Sequence, residues 1–139
     1  MSEYSKAKNT VIITCSIMFL LSLTQDCYCT EFKCVDSLSA FLLGWFGLIS
    51  TVEGLPWLAN PLLFLAWFTL RKNINTSIIL SSLATVLALS FFLFHSIIVD
   101  EAGHFEKIIS YKAGYWLWVL SSLSTLIETV VLKMQTKRS

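Results

Sequence analysis

Three cysteines lie close together in one polar segment of this chain. Cys27 and Cys29 flank Tyr28, and Cys34 follows five residues after Cys29. Cysteines at such short spacing form structural disulfides in an oxidising compartment, and they exchange disulfides where a thiol stays free. Cys29 or Cys27 could pair with Cys34, whereas a Cys27–Cys29 bridge would be strained. The segment predicts one disulfide, with a redox-active pair, a metal site or an intermolecular disulfide as alternatives.

Carboxyl and imidazole groups in apolar sequence form a second set of candidates. Glu53, His95 and Glu128 lie within or beside long apolar runs, where ionisable groups are costly and are functional candidates by default. A Glu53–His95 contact would place a pH-responsive imidazole beside a carboxylate. Glu128 could extend towards the basic end of the chain or pair with Arg71 or Lys72. We expect structural pairs here, with a proton or ligand site as the alternative.

A polar loop between two apolar runs carries Asp100, Glu101 and His104. Such groups bind divalent metals, but these three lack a diagnostic ligand spacing. The sequence contains no phosphate-binding glycine loop, nucleophile elbow, zinc-protease motif or haem attachment sequence. It therefore predicts a solvated loop, and no catalytic residue, metal site or cofactor.

The composition indicates a membrane protein. Hydrophobic residues make up 55% of the 139 residues and charged residues only 14%, against about a quarter in soluble domains. The mean hydropathy is +0.70, and the apolar runs leave no stretch long enough for a separate soluble domain. We interpret residues 1–139 as a single domain in the lipid bilayer. A net charge of +1 without a basic patch outside the helix ends gives nucleic-acid binding no support.

The apolar run from Leu38 to Leu70 determines the predicted topology. As one helix it would be about 50 Å long, against a hydrocarbon core of about 30 Å. If it crosses the membrane once, seven of the ten cations lie on the side of the N-terminus, as the positive-inside rule requires. These are Lys6, Lys8, Arg71, Lys72, Lys133, Lys137 and Arg138. We therefore predict a crossing at 56–71, preceded by a re-entrant or interfacial helix at 38–52.

The predicted fold is all-α, a polytopic integral membrane protein with four transmembrane helices plus the re-entrant or interfacial helix 38–52. The crossings are expected at approximately 10–24, 56–71, 77–99 and 114–133. The first run is as short as a signal peptide but lacks a clear cleavage site, which favours an uncleaved helix. Both termini are predicted to be cytoplasmic. The small size and short loops suit a bacterial envelope, so the inner membrane is the expected location.

A four-helix membrane domain with cysteines in an outer loop resembles, in layout, the quinone-coupled enzymes that form disulfide bonds, including the vitamin K epoxide reductase type. The resemblance implies thiol-disulfide exchange. However, the chain has no Cys-x-x-Cys motif, and its second outer loop has no cysteine to relay electrons. No catalytic residue is carried over from that family.

Two classes of function follow from these features. The absence of a catalytic constellation, together with candidate residues in short outer loops, favours a non-enzymatic protein that acts by contact with a membrane or extracytoplasmic protein partner. It would be an immunity-type protein or an accessory subunit of a membrane complex. The alternatives are a membrane thiol-disulfide oxidoreductase and an oligomeric channel or transporter component. A homo-oligomer is compatible with each of them.

Overall fold

The computed structural model describes residues 2–100 and 102–138, and most of them are helical. The α-helices are α1 (Glu3–Leu23), α2 (Ser37–Leu43), α3 (Trp45–Ser50), α4 (Ala59–Leu70), α5 (Ile74–Ser90) and α6 (Ala113–Arg138). Two 3-10 segments, Val52–Leu58 and Phe91–Leu93, precede α4 and follow α5. The strands are β1 (Asp26–Thr30), β2 (Cys34–Asp36), β3 (Ser96–Ile98) and β4 (Phe105–Tyr111).

The four strands form an antiparallel sheet in the order β2-β1-β4-β3. The β1–β2 hairpin follows α1, and the β3–β4 hairpin precedes α6. The two central strands, β1 and β4, align Tyr28 with Tyr111 and Cys29 with Ser110. The predicted all-α fold is therefore wrong. The strands contain three to seven residues and come from two distant parts of the chain, so periodicity alone does not reveal them.

Among the described residues, three helices are long and apolar enough to span a membrane. They are Glu3–Leu23, Ile74–Leu93 and Ala113–Arg138. This finding agrees with a membrane location but corrects the predicted number of crossings. The predicted crossing at 56–71 is not a long helix, because its start belongs to a 3-10 segment and α4 contains only 12 residues. Such a helix is roughly 18 Å long, well short of the hydrocarbon core.

The predicted re-entrant or interfacial helix at 38–52 is also wrong. This segment forms two shorter helices, α2 and α3, which meet at Gly44. Thr51 is extended and ends α3, and a 3-10 segment follows. The chain then returns so closely that a Cβ on Gly54 would overlap the backbone of Gly47. The two glycines therefore permit the backbone to return against itself, which a single continuous helix over 38–52 could not do.

The long helices pack into one bundle, with the sheet across one end. Helix α1 packs against α6, and α5 packs against both α4 and α6. Phe19 and Tyr115 belong to the core beneath the sheet, whereas Val11, Leu70 and Leu132 form a core at the other end. We call the first region the sheet end. We call the second the basic end, because it lies near both termini and the α4–α5 turn, where the seven cations are located.

Candidate functional site

A disulfide closes the β1–β2 hairpin at the sheet end. Cys29 and Cys34 are directly paired across the two strands, with their Cα atoms 3.9 Å apart and their sulfurs bonded. This is one of the two pairings that the sequence left open. Because the bond joins strands that are already paired, it fixes the register of the hairpin.

A second interaction ties the two hairpins together. Thr30 Oγ1 donates a hydrogen bond to Glu106 Oε2 over 2.6 Å, and it accepts one from the backbone N–H of Lys33. Thr30 is almost fully buried, at 3% exposure. The contact joins residues 76 positions apart, so sequence spacing gave no signal for it. The disulfide and this bond together make the sheet a fixed platform.

Cys27, the third candidate cysteine, is a buried free thiol. Burial raises the pKa of Cys27 to about 12, although the neighbouring Ser37 hydroxyl favours the thiolate and opposes this shift. The thiolate is the form that attacks disulfides and binds metals. At neutral pH Cys27 is therefore protonated, and only 8% of its surface is exposed; neither property suits a redox thiol.

We predict that Cys27 resists alkylation in the folded protein. A short iodoacetamide pulse near pH 8 should leave Cys27 of the folded protein unmodified, because the thiol is buried and protonated. The same pulse should modify Cys27 fully after denaturation. The rate should rise as the pH approaches 12 and the thiolate fraction grows. Mass spectrometry of the peptides measures the result, with Gln25→Cys as an exposed control that reacts at once. Rapid labelling of folded Cys27 would contradict the burial argument.

The outer side of the platform exposes large apolar side chains. Phe105 and Ile109 on β4 are 60% and 63% exposed, and Phe32 in the β1–β2 turn is 79% exposed. Thr30, just before that turn, is paired with Ile108 of β4, so all three side chains belong to one part of the sheet. We call Phe32, Phe105 and Ile109 the sheet surface.

A cavity of about 690 Å³ lies between the sheet and the segment that contains α2 and α3. Its volume is in the range of small-molecule sites. Aromatic side chains from several elements line it, including Trp57, whose Nε1 donates a hydrogen bond to the carbonyl of Phe41 over 2.8 Å. The sequence candidates Cys27, Glu53 and Asp100 also line this cavity.

The acidic loop is held by its own side chains. Asp100 accepts hydrogen bonds from the backbone N–H and from the ring Nδ1 of His104. These bonds lower the pKa of Asp100, whose side chain is exposed. No group of three acidic, histidine or cysteine side chains within the described residues is arranged to hold a metal. Glu101, the remaining candidate of this loop, lies outside the described residues.

The hypothetical Glu53–His95 pair is not formed. The ion pairs between described residues are Lys6–Glu3 and His104–Asp100. Glu53 is partly buried at the cavity, while His95 is exposed, and its carbonyl accepts a hydrogen bond from the N–H of Ile108. The structure therefore places these two candidates in different surroundings.

Glu128 lies in the contact between α1 and α6. Its Oε2 is 3.8 Å from the Sγ of Cys15, which donates to it. It forms no ion pair with a described residue, so the expected pairing with Arg71 or Lys72 is not formed. Nearby hydroxyls bond to backbone, as Ser121 Oγ does to the carbonyl of Cys15 over 2.9 Å.

Aromatic residues that connect the sheet to the helices were not recognised as such in the sequence. Tyr111 donates its hydroxyl to the carbonyls of Phe91 and Phe94, at 3.0 and 2.8 Å. Tyr115 is fully buried and donates to the carbonyl of Ala88 over 2.9 Å. These hydrogen bonds anchor the sheet to the helices at the sheet end.

No protein-family model, curated protein or solved structure matches this chain.

Proposed function

We propose that this chain is a non-enzymatic membrane protein that binds a partner protein through its sheet surface. The observation that carries the proposal is the exposure of Phe32, Phe105 and Ile109 on a sheet fixed by a disulfide. Exposed apolar groups in one region are typical of interaction sites. Aromatic side chains on a rigid support are the usual energetic centres of such interfaces.

The proposed partner is an extracytoplasmic protein or an exposed part of a membrane complex. Its support is the charge distribution: seven cations lie at the basic end, and Lys33, Lys107 and Lys112 lie at the sheet end. By the positive-inside rule, the basic end is cytoplasmic, with both termini, and the sheet is outside. The 3-10 segment Val52–Leu58 and α4 together then return the chain from the sheet end to the basic end, alongside the three longer helices. We place the protein in a bacterial inner membrane, as an immunity-type protein or an accessory subunit.

The oxidoreductase alternative receives less support. Such an enzyme passes electrons through a thiolate that can reach the exchanging disulfide. Cys27 is buried and its pKa is raised, and Cys15 is buried in the helix bundle. Replacing Cys29 and Cys34 with serine should therefore leave disulfide formation in the cell unchanged. A clear loss of that activity would favour the enzyme over the contact protein.

Site-specific photocrosslinking tests the proposed contact. A photoreactive amino acid at Phe32 should give, in native membranes, one discrete protein adduct that mass spectrometry identifies. Phe105→Ser together with Ile109→Ser should lower that yield at least tenfold, because truncating two apolar interface groups costs about 1.4 kcal/mol or more. Leu93→Ser, at another exposed apolar residue, is the matched control. Equal yields from all three proteins would rule out the sheet surface as the binding site.

A further inference from the structure

Helix α6 carries one acidic side chain inside its apolar segment. Glu128 precedes Lys133 by five residues, or roughly 7.5 Å along the helix. On α1, its contact residue Cys15 lies seven residues beyond Lys8, or roughly 10 Å. Both helices therefore place Glu128 deeper in the membrane than the basic residues of that end.

No cation within the described residues compensates this carboxyl group. Its neighbour Cys15 supplies only a thiol, which is a weak hydrogen-bond donor. The neighbouring hydroxyl of Thr125 is also committed elsewhere: it donates to the carbonyl of Ser121 and accepts from Trp67 Nε1. Acidic groups at this depth are rare and usually pair with a basic group. No described residue of this chain supplies such a partner.

The surroundings of Glu128 leave room for a second helix. Glu128 is only partly buried, as is Ser124 one turn earlier on the same side of α6. Leu120 and Val131 on this side are each 45% exposed. A small residue flanked by apolar side chains lets another transmembrane helix approach closely. The open side of α6 thus combines a helix-packing surface with an uncompensated acidic group.

We propose that Glu128 binds a lysine or arginine on a transmembrane helix of a different protein. The complementary charge identifies the partner: a helix that carries its basic residue about one and a half turns inside the membrane, at the cytoplasmic side. A second copy of this chain does not fit, because α5 has no basic residue and the cations of α1 and α6 lie roughly 7.5 Å or more closer to the cytoplasmic side than Glu128 does. This contact is separate from the sheet surface and does not depend on it.

Synthetic helices provide a direct test of this contact. The protein is reconstituted in phosphatidylcholine vesicles with leucine-alanine transmembrane peptides, and association is measured by energy transfer from a fluorophore at the chain's C-terminus. One peptide carries lysine about one and a half turns from its end, a second has leucine there, and a third has lysine at its centre. We expect the first peptide to associate at least tenfold more tightly than the other two.

Two substitutions of Glu128 make the test specific. Glu128→Gln should reduce binding of the first peptide to the level of the leucine peptide, while Glu53→Gln, which removes a carboxyl group at the sheet end, should not change it. Glu128→Lys should reverse the preference, so that a peptide with glutamate at the same depth binds best. Circular dichroism and gel filtration establish that each variant is folded.

Equal binding of the lysine and leucine peptides to the unaltered protein would overturn the proposal. So would a Glu128→Gln variant that keeps the lysine preference, or energy transfer between protein copies that disappears with Glu128, which would assign the residue to self-association. Because the peptides contain no extramembrane domain, none of these results bears on the sheet surface. Failure of that proposal would appear only in the crosslinking experiment.

Discussion

Replacing Gly54 with alanine is expected to prevent stable folding of the sheet end. A Cβ on Gly54 would overlap the carbonyl group of Gly47 and the amide nitrogen of Leu48. These are backbone atoms, so a change of rotamer cannot remove the clash. Forcing extra atoms into a filled site costs about 1–3 kcal/mol even where side chains can shift. Here we expect a loss of about 3 kcal/mol or more, a large part of a typical domain's stability.

Gly47→Ala is the matched control for this prediction. A Cβ on Gly47 would lie 3.1 Å from the Cα of Gly54, a tight contact that a small shift relieves. Alanine also favours helix α3 by roughly 0.5–1 kcal/mol over glycine, so the net change should be small. Thermal unfolding in mild detergent, followed by tryptophan fluorescence, measures both variants. Equal midpoints for the two would show that the Gly54 contact does not limit the fold.

The membrane character of the chain was predictable because it follows from composition and local hydropathy. Long apolar runs give long apolar helices whatever their tertiary contacts. Helix α6 covers the predicted span 114–133, whereas α5 covers only the first part of the predicted span 77–99, which ends in a 3-10 segment and β3. The small residues of α5 permit close packing in the same way: Ser77, Ser81 and Ala84 are fully buried. These features require only information that lies along one helix.

The sheet was not predictable in this way because its pairing is not local. The bond between Thr30 and Glu106 joins two loops that look like solvated connections when each is considered alone. In β4, Lys107 lies between the apolar residues Phe105 and Ile109, so the strand has no simple alternation of apolar and polar residues. The register between β1 and β4 depends on contacts between the two hairpins, and neither hairpin determines it alone.

Within the candidate site, the sequence predicted interactions between neighbouring residues better than contacts between distant ones. A disulfide with Cys34 was predictable from the short spacing of the three cysteines, whereas the choice of Cys29 over Cys27 was not. Glu53 and Asp100 line one cavity. Their proximity depends on the return of the chain at Gly54 and on the curvature of the sheet. Neither can be inferred from hydropathy, because a glycine in an apolar run is compatible with a helix contact, a turn or a close backbone approach.

Replacing Gly114 with alanine is expected to separate the sheet from the bundle. Gly114 lies in the first turn of α6, directly after β4. A Cβ there would overlap the Ser37 hydroxyl and would lie 2.7 Å from the carbonyl oxygen of Asp26 and 2.9 Å from that of Gln25. The Gln25 carbonyl already accepts the N–H of Ser37. Relieving the clash would therefore shift the start of β1 and α2, at a cost of about 2–3 kcal/mol.

The unfolding midpoint of Gly114→Ala in detergent measures this cost, and Ala113→Ser, at the exposed neighbouring residue, should leave it unchanged. A second substitution shows whether the clash is the cause. Ser37→Ala removes the hydroxyl that the new Cβ would meet, so adding it to Gly114→Ala should recover part of the loss. Recovery should be incomplete, because the backbone carbonyl groups of Gln25 and Asp26 remain. Strictly additive effects of the two substitutions would mean that the new Cβ does not clash with the Ser37 hydroxyl. The close contact at Gly114 would then not be what attaches the sheet to the helices.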